Sequence, residues 1–155
     1  FCLWWVGIMV RQRGVTLIEL MIGIALLAIL VMAIFPLGRA WVANAQITKT
    51  EKEFLEAYSR AKNEALRNPN AVKEDDVAAT LKVNNTDKKI EVINSKNVVI
   101  WEAVISPLIT VTLSTGCTTG HQQLTLNNNG YLRTGSCTYY NIAASGGGNN
   151  ASGTL

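Results

Sequence analysis

Histidine occurs once in this chain, at position 121, and cysteine three times, at positions 2, 117 and 137. A single imidazole between Gly120 and Gln122 has no second ligand and no nucleophile arrangement beside it, so it reads as a solvated loop residue. The cysteine spacing excludes a CxxC-type metal site. No residue set resembles a catalytic triad or a phosphate loop, so neither an enzyme nor a cofactor is expected. An excess of one charge is lacking too. Beyond Phe35 stand twelve basic and ten acidic residues, interspersed, within a formal net charge of +3. That is a solvated surface rather than a phosphate-binding footprint. Glu74-Asp75-Asp76 lacks the alternating oxygen ligands and glycine of a calcium loop and reads as a solvated turn.

What the chain does have is one long apolar run. Val15 to Phe35 is 21 residues with a single charge, Glu19. At 1.5 Å per residue such a run spans a hydrocarbon core of roughly 30 Å, making it a transmembrane candidate. The lone carboxylate is the anomaly. A charge inside a span costs at least ~2.5–3.5 kcal/mol at mid-bilayer, so it marks a function and calls for a partner. Arg11 and Arg13 precede the span and hold the N-terminus in the cytoplasm, which exports Val42 onward.

The junction carries a resemblance. Gly14 followed by Val15-Thr16-Leu17-Ile18-Glu19-Leu20 resembles the class III signal of type IV prepilins and type II secretion pseudopilins, glycine then F-T-L-I-E-L. Only Val15 departs from the pattern. The resemblance implies cleavage after Gly14 by a prepilin peptidase on the cytoplasmic face. It also implies that Val15 becomes the N-methylated mature terminus. Glu19 would recruit the next subunit through that subunit's N-terminal amine. Residues 1–14 are then a leader. Met9 would start a leader of ordinary length, so residues 1–8 (FCLWWVGI) are expected to be upstream translation; the alternative is a longer leader bringing Trp4 and Trp5 to the membrane interface.

The helix is expected to continue past the membrane. No glycine or proline stands between Arg39 and Arg67. Ile47, Phe54, Leu55, Tyr58, Ala61, Ala65 and Leu66 recur with helical period, opposite a face of Lys, Arg and Glu that includes Glu56–Arg60. Asn68-Pro69-Asn70 should end it. Pro36-Leu37-Gly38 should kink or locally melt it. Trp41 is expected to anchor at the outer membrane interface.

Beyond Asn70 the period becomes two. Expected strands are Ala78–Val83, Lys89–Ile93, Val98–Glu102, Leu108–Ser114, Gln122–Leu126, Tyr131–Arg133 and Cys137–Ile142. Trp101 should enter the core, and Asn127-Asn128-Asn129-Gly130 reads as a hairpin turn. The Gly/Asn/Ser-rich stretch 145–155 reads as a flexible tail. The fold class is α+β, type IV pilin-like: a long N-terminal helix packed on a C-terminal antiparallel sheet. The domains are a transmembrane and assembly helix over 15–38 and a periplasmic globular domain over 39–144.

Ala61-Lys62-Asn63-Glu64-Ala65-Leu66-Arg67 resembles the run that closes the long helix in the GspH/FimT family. With export, Cys117 and Cys137 become a pair in an oxidising compartment and are read as a disulfide, two separate free thiols being the alternative. The resemblance implies a minor pilin of a type IV pilus, a reading to which Pro36 tips the balance; an H-type pseudopilin of the type II secretion system is the alternative. Implied partners are prepilin peptidase, other pilin or pseudopilin subunits and the inner membrane. Some FimT-type minor pilins bind DNA during uptake. Here Arg133 is the one basic residue after Cys117, and Lys82, Lys88, Lys89 and Lys96 form only a modest group, so nucleic acid is not the expected partner.

Overall fold

The structure, a computed structural model, describes residues 14–74, 76–114, 117 and 122–155. Residues 1–13, which hold most of the expected leader, Asp75 and His121 lie outside the described residues. The chain divides into two compact units, Phe1–Leu37 and Gly38–Leu155.

One helix, α1 (Leu17–Arg67), contributes to both units. It is helical throughout Pro36-Leu37-Gly38, so the local melting expected there does not occur. Proline removes a single backbone donor, and Ala33, Leu37, Arg39 and Ala40, all good helix formers, carry the helix across it and Gly38. The end falls where expected. Asn68 takes φ 40°, its N–H donates to Glu64 O (3.0 Å), and its side chain brackets Val72 by 2.7 and 2.9 Å bonds. A left-handed residue followed by proline is a common helix stop.

In the first unit, the apolar stretch of α1 has a mean hydropathy of 2.8 and buries no residue within the unit. By length and composition it can cross a membrane.

In the second unit α1 buries Ala43, Ile47, Thr50, Phe54, Ala57, Ala61 and Ala65, at spacings of three or four. This stripe is smaller and smoother than the expected one. Leu55 and Leu66 are exposed, while Ala43, Thr50 and Ala57 replace them. Alanines let strands approach the helix closely, and Ile47 and Phe54 project the larger side chains into the interior.

Seven strands follow: β1 (Ala79–Asn84), β2 (Lys89–Asn94), β3 (Val99–Val104), β4 (Ile109–Ser114), β5 (Gln123–Leu126), β6 (Tyr139–Ala144) and β7 (Ala151–Thr154). They form two antiparallel sheets, ordered β3-β2-β1-β5 and β4-β6-β7. Alternate residues face inward, as half-buried strands require: Leu81 and Val83, Ile90 and Val92, Val111 and Leu113, Leu124 and Leu126, Ile142. They join Phe54 and the helix alanines in a single core. Six strands lie within a residue or two of the expected positions. Tyr131–Arg133 is not a strand; it makes one bridge, Leu132 to Leu126, after a turn in which Gly130 has φ 73°.

The expected flexible tail is a correction. Residues 151–154 are β7, hydrogen-bonded along β6 from Tyr139↔Thr154 to Ile142↔Ala151. The preceding loop docks on α1, where Asn149 N–H donates to Asn44 Oδ1 (2.8 Å). Glycine composition misleads here because Gly148 and Gly153 serve close approach. A Cβ on Gly148 would stand 2.7 Å from Asn44 Oδ1.

Candidate processing and assembly site

Gly14, Val15 and Thr16 precede the helix and are exposed. A Cβ on Gly14 would meet nothing within 4 Å, so the peptide bond after it is sterically open. Thr16 is the N-cap. Its Oγ1 accepts the Glu19 N–H (3.3 Å) and its carbonyl accepts the Leu20 N–H (3.1 Å). Threonine at the cap with glutamate at the third helical position is the T-x-x-E pattern of a capping box. The T-x-x-E spacing of Thr16 and Glu19 is the local sequence signal for this cap.

Glu19 thus sits in the first turn of α1, where the unsatisfied N–H groups and the helix dipole favour negative charge. Its neighbours Leu17, Ile18 and Leu20 are all more than half exposed. No ion pair to Glu19 exists among the described residues. The structure therefore places Gly14, Val15 and Glu19 together within one helical turn of the cap, on an apolar surface bare of protein.

Cys117 and Cys137 are joined as a disulfide, Cα to Cα 4.4 Å, between the ends of β4 and β6. Cys137 is buried and Cys117 packs against the core. Closing a loop of this length contributes roughly 3 kcal/mol on a chain-entropy account.

The remaining candidates separate. Lys88 Nζ donates to Ile109 O (2.8 Å), Lys89 pairs with Glu102 (3.0 Å), and Lys82 faces Glu91 across the β1–β2 ladder. Lys88 is engaged by a carbonyl, Lys89 by a carboxylate, and Lys82 stands opposite an acid, so the group is interleaved with acceptors rather than aligned as a cationic stripe. Trp41 is exposed. Trp101 is only half-buried at the sheet edge, with the Arg60 guanidinium 5.3 Å from its ring and Arg60 in turn bonded to Glu56 (2.7 Å). Among the described residues no cluster of His, Cys, Asp and Glu could hold a metal ion.

The family model of the prokaryotic N-terminal methylation motif matches residues 9–35. No curated protein and no solved structure matches the chain. The motif, the long apolar helix and the antiparallel domain that follows it give the layout of a type IV pilin-like protein. That combination fits a membrane-anchored chain of the pilin or pseudopilin type. The motif implies processing by a prepilin peptidase and assembly with other pilins.

Proposed function

We propose that the protein is a minor pilin of a type IV pilus, incorporated through its N-terminal helix to prime or cap the filament. Its role is structural rather than enzymatic. After cleavage behind Gly14 the Val15 amine and the Glu19 carboxylate are opposite charges on one apolar helix, both costly in lipid unless paired. The carrying observation is the Glu19 carboxylate, held in a capped first turn with no counter-charge among the described residues. Pairing it with the amine of an adjacent subunit removes that cost and sets the axial step between subunits. The N-terminus faces the cytoplasm and the domain from Gly38 onward the periplasm before assembly.

The test is a deletion strain scored for surface pili and for exoprotein release. Lost or altered piliation with normal release is expected. The opposite result would assign the chain to the secretion pseudopilus as an H-type subunit. Mass spectrometry of the membrane fraction should find a species beginning at methylated Val15, and Glu19→Ala should abolish incorporation into the filament.

A further inference from the structure

Among the described residues, Lys49 pairs with Glu53, Arg60 with Glu56, Arg67 with Glu64 and Lys89 with Glu102. One acid and one cation share a cavity without pairing. Glu74, from the connection between α1 and β1, and Arg133, from the connection between β5 and β6, line a cavity of about 320 Å³ with Asn127, Leu132 and Thr134. Neither charged side chain has an ion pair or hydrogen bond among the described residues. Beyond Lys96, Arg133 is the only lysine or arginine in the chain.

The two walls are fixed through other groups, which leaves these side chains to the cavity. Asn128 Nδ2 donates to Val72 O (3.3 Å), strapping the α1–β1 connection to the turn after β5. Past Glu74 the same connection is tied down by Ala78 N–H, which donates to Leu126 O (2.9 Å). Arg133 N–H donates to Thr125 O and Arg133 O accepts the Ser136 N–H, both at 2.9 Å. Asn127 Oδ1 accepts the Asn129 and Tyr131 N–H groups (3.1 and 2.9 Å), so its amide hydrogens are left to donate. The cavity thus presents donors from Arg133, Asn127 and the Thr134 hydroxyl, an acceptor-only carboxylate from Glu74, and one apolar contact at Leu132. Its volume lies at the lower end of the range for small-molecule sites.

We propose that this cavity binds the α-ammonium carboxylate group of a free amino acid. Arg133 takes the carboxylate as a two-bond fork, with Asn127 and Thr134 as further donors, and Glu74 takes the ammonium. Charge decides the class. A simple anion held by Arg133 would also meet the Glu74 carboxylate, and a simple cation held by Glu74 would meet the guanidinium. A neutral sugar would leave both charges without a counter-charge, and no aromatic ring lines the cavity to stack on it. A small molecule bearing both signs answers both walls at once. Glu74 and Thr134 are exposed, so solvent screens the site and binding is weak, with a Kd of about 1 mM. The site lies wholly within the second unit and takes nothing from the assembly helix.

The test is a titration of the isotope-labelled full chain in detergent with L-alanine, followed by nuclear magnetic resonance. Saturable shifts are expected at the Arg133 Nε–H and at the amides of Arg133 and Thr134, with none at Val111. N-acetyl-L-alanine lacks the ammonium and L-alaninamide lacks the carboxylate, and each should bind about tenfold more weakly. Arg133→Gln and Glu74→Gln should each weaken L-alanine by about tenfold as well. Unchanged signals from Leu124 and Leu126, in the adjoining strand, show that a variant remains folded. The blocked analogues give a readout that needs no variant at all. Absence of a saturable shift at Arg133, equal binding of alanine and its blocked analogues, or an unchanged Kd in either folded variant would overturn the proposal.

Discussion

Gly153 lies directly across the β6–β7 ladder from Tyr140, and a Cβ on it would stand 2.8 Å from the phenol oxygen and 2.9 Å from two ring carbons. The Tyr140 ring cannot easily yield. It is buried, packs on Phe54 with centroids 5.0 Å apart, and is tied to Glu51 by a 3.0 Å bond. Gly153→Ala should therefore destabilise the domain by about 1–3 kcal/mol through overpacking. A denaturant midpoint unchanged from the parent would contradict this account of why glycine stands there.

Burial first, and the Glu51 carboxylate second, hold the Tyr140 phenol above its ordinary value near 10. The unfolded chain gives up this proton at a lower pH than the folded one. The stability contributed by the neutral phenol is complete below about pH 10 and declines as pH rises through the folded-state value. Tyr140→Phe should cost about 0.5–1.5 kcal/mol at neutral pH from the lost hydrogen bond. It should also show a shallower loss on the alkaline side. Denaturant midpoints at neutral pH and above about pH 10 for both proteins measure the difference; parallel alkaline slopes would count against it.

Asn85 acts as a strand substitute for Val111, supplying one acceptor and one donor from a side chain. Asn85→Ala leaves both backbone groups without their mate and should cost about 1–3 kcal/mol. Accelerated amide exchange at Val111, with that at Ile142 unchanged, would locate the effect.

At the helix start, Thr16→Ala removes the cap and should cost about 0.5–2 kcal/mol of local helix stability, with Thr16→Ser restoring most of it. Faster exchange of the Glu19 amide in detergent is the readout. The same variant should slow incorporation, because a frayed first turn no longer fixes the carboxylate.

The processing segment was legible because it is local: glycine, an apolar run and a glutamate in fixed order need no tertiary information. Strand positions were legible from period-two alternation, as in Leu81 and Val83 or Val111 and Leu113. The partition into two sheets was not. It rests on pairings between distant segments, β1 with β5 and β4 with β6, that no local pattern announces. The helix face was misjudged at Leu55 and Leu66 because large apolar residues were weighted over small ones, whereas the strands pack on the alanines. The tail was misread for a related reason: Gly148 and Gly153 are there for contact, not for freedom, and composition cannot distinguish the two.

The bare first unit of the helix has a consequence for the protein's history in the cell. A rod with greasy side chains on every side and one acid near its tip has no stage at which water is a tolerable surrounding. Moving from bilayer to fibre exchanges one anhydrous host for another, so hydrophobic burial supplies little net drive in either direction. Under the proposed function, what tips the transfer is the counter-charge that a neighbouring subunit's amine offers Glu19, and a chain that found none would stay in the lipid.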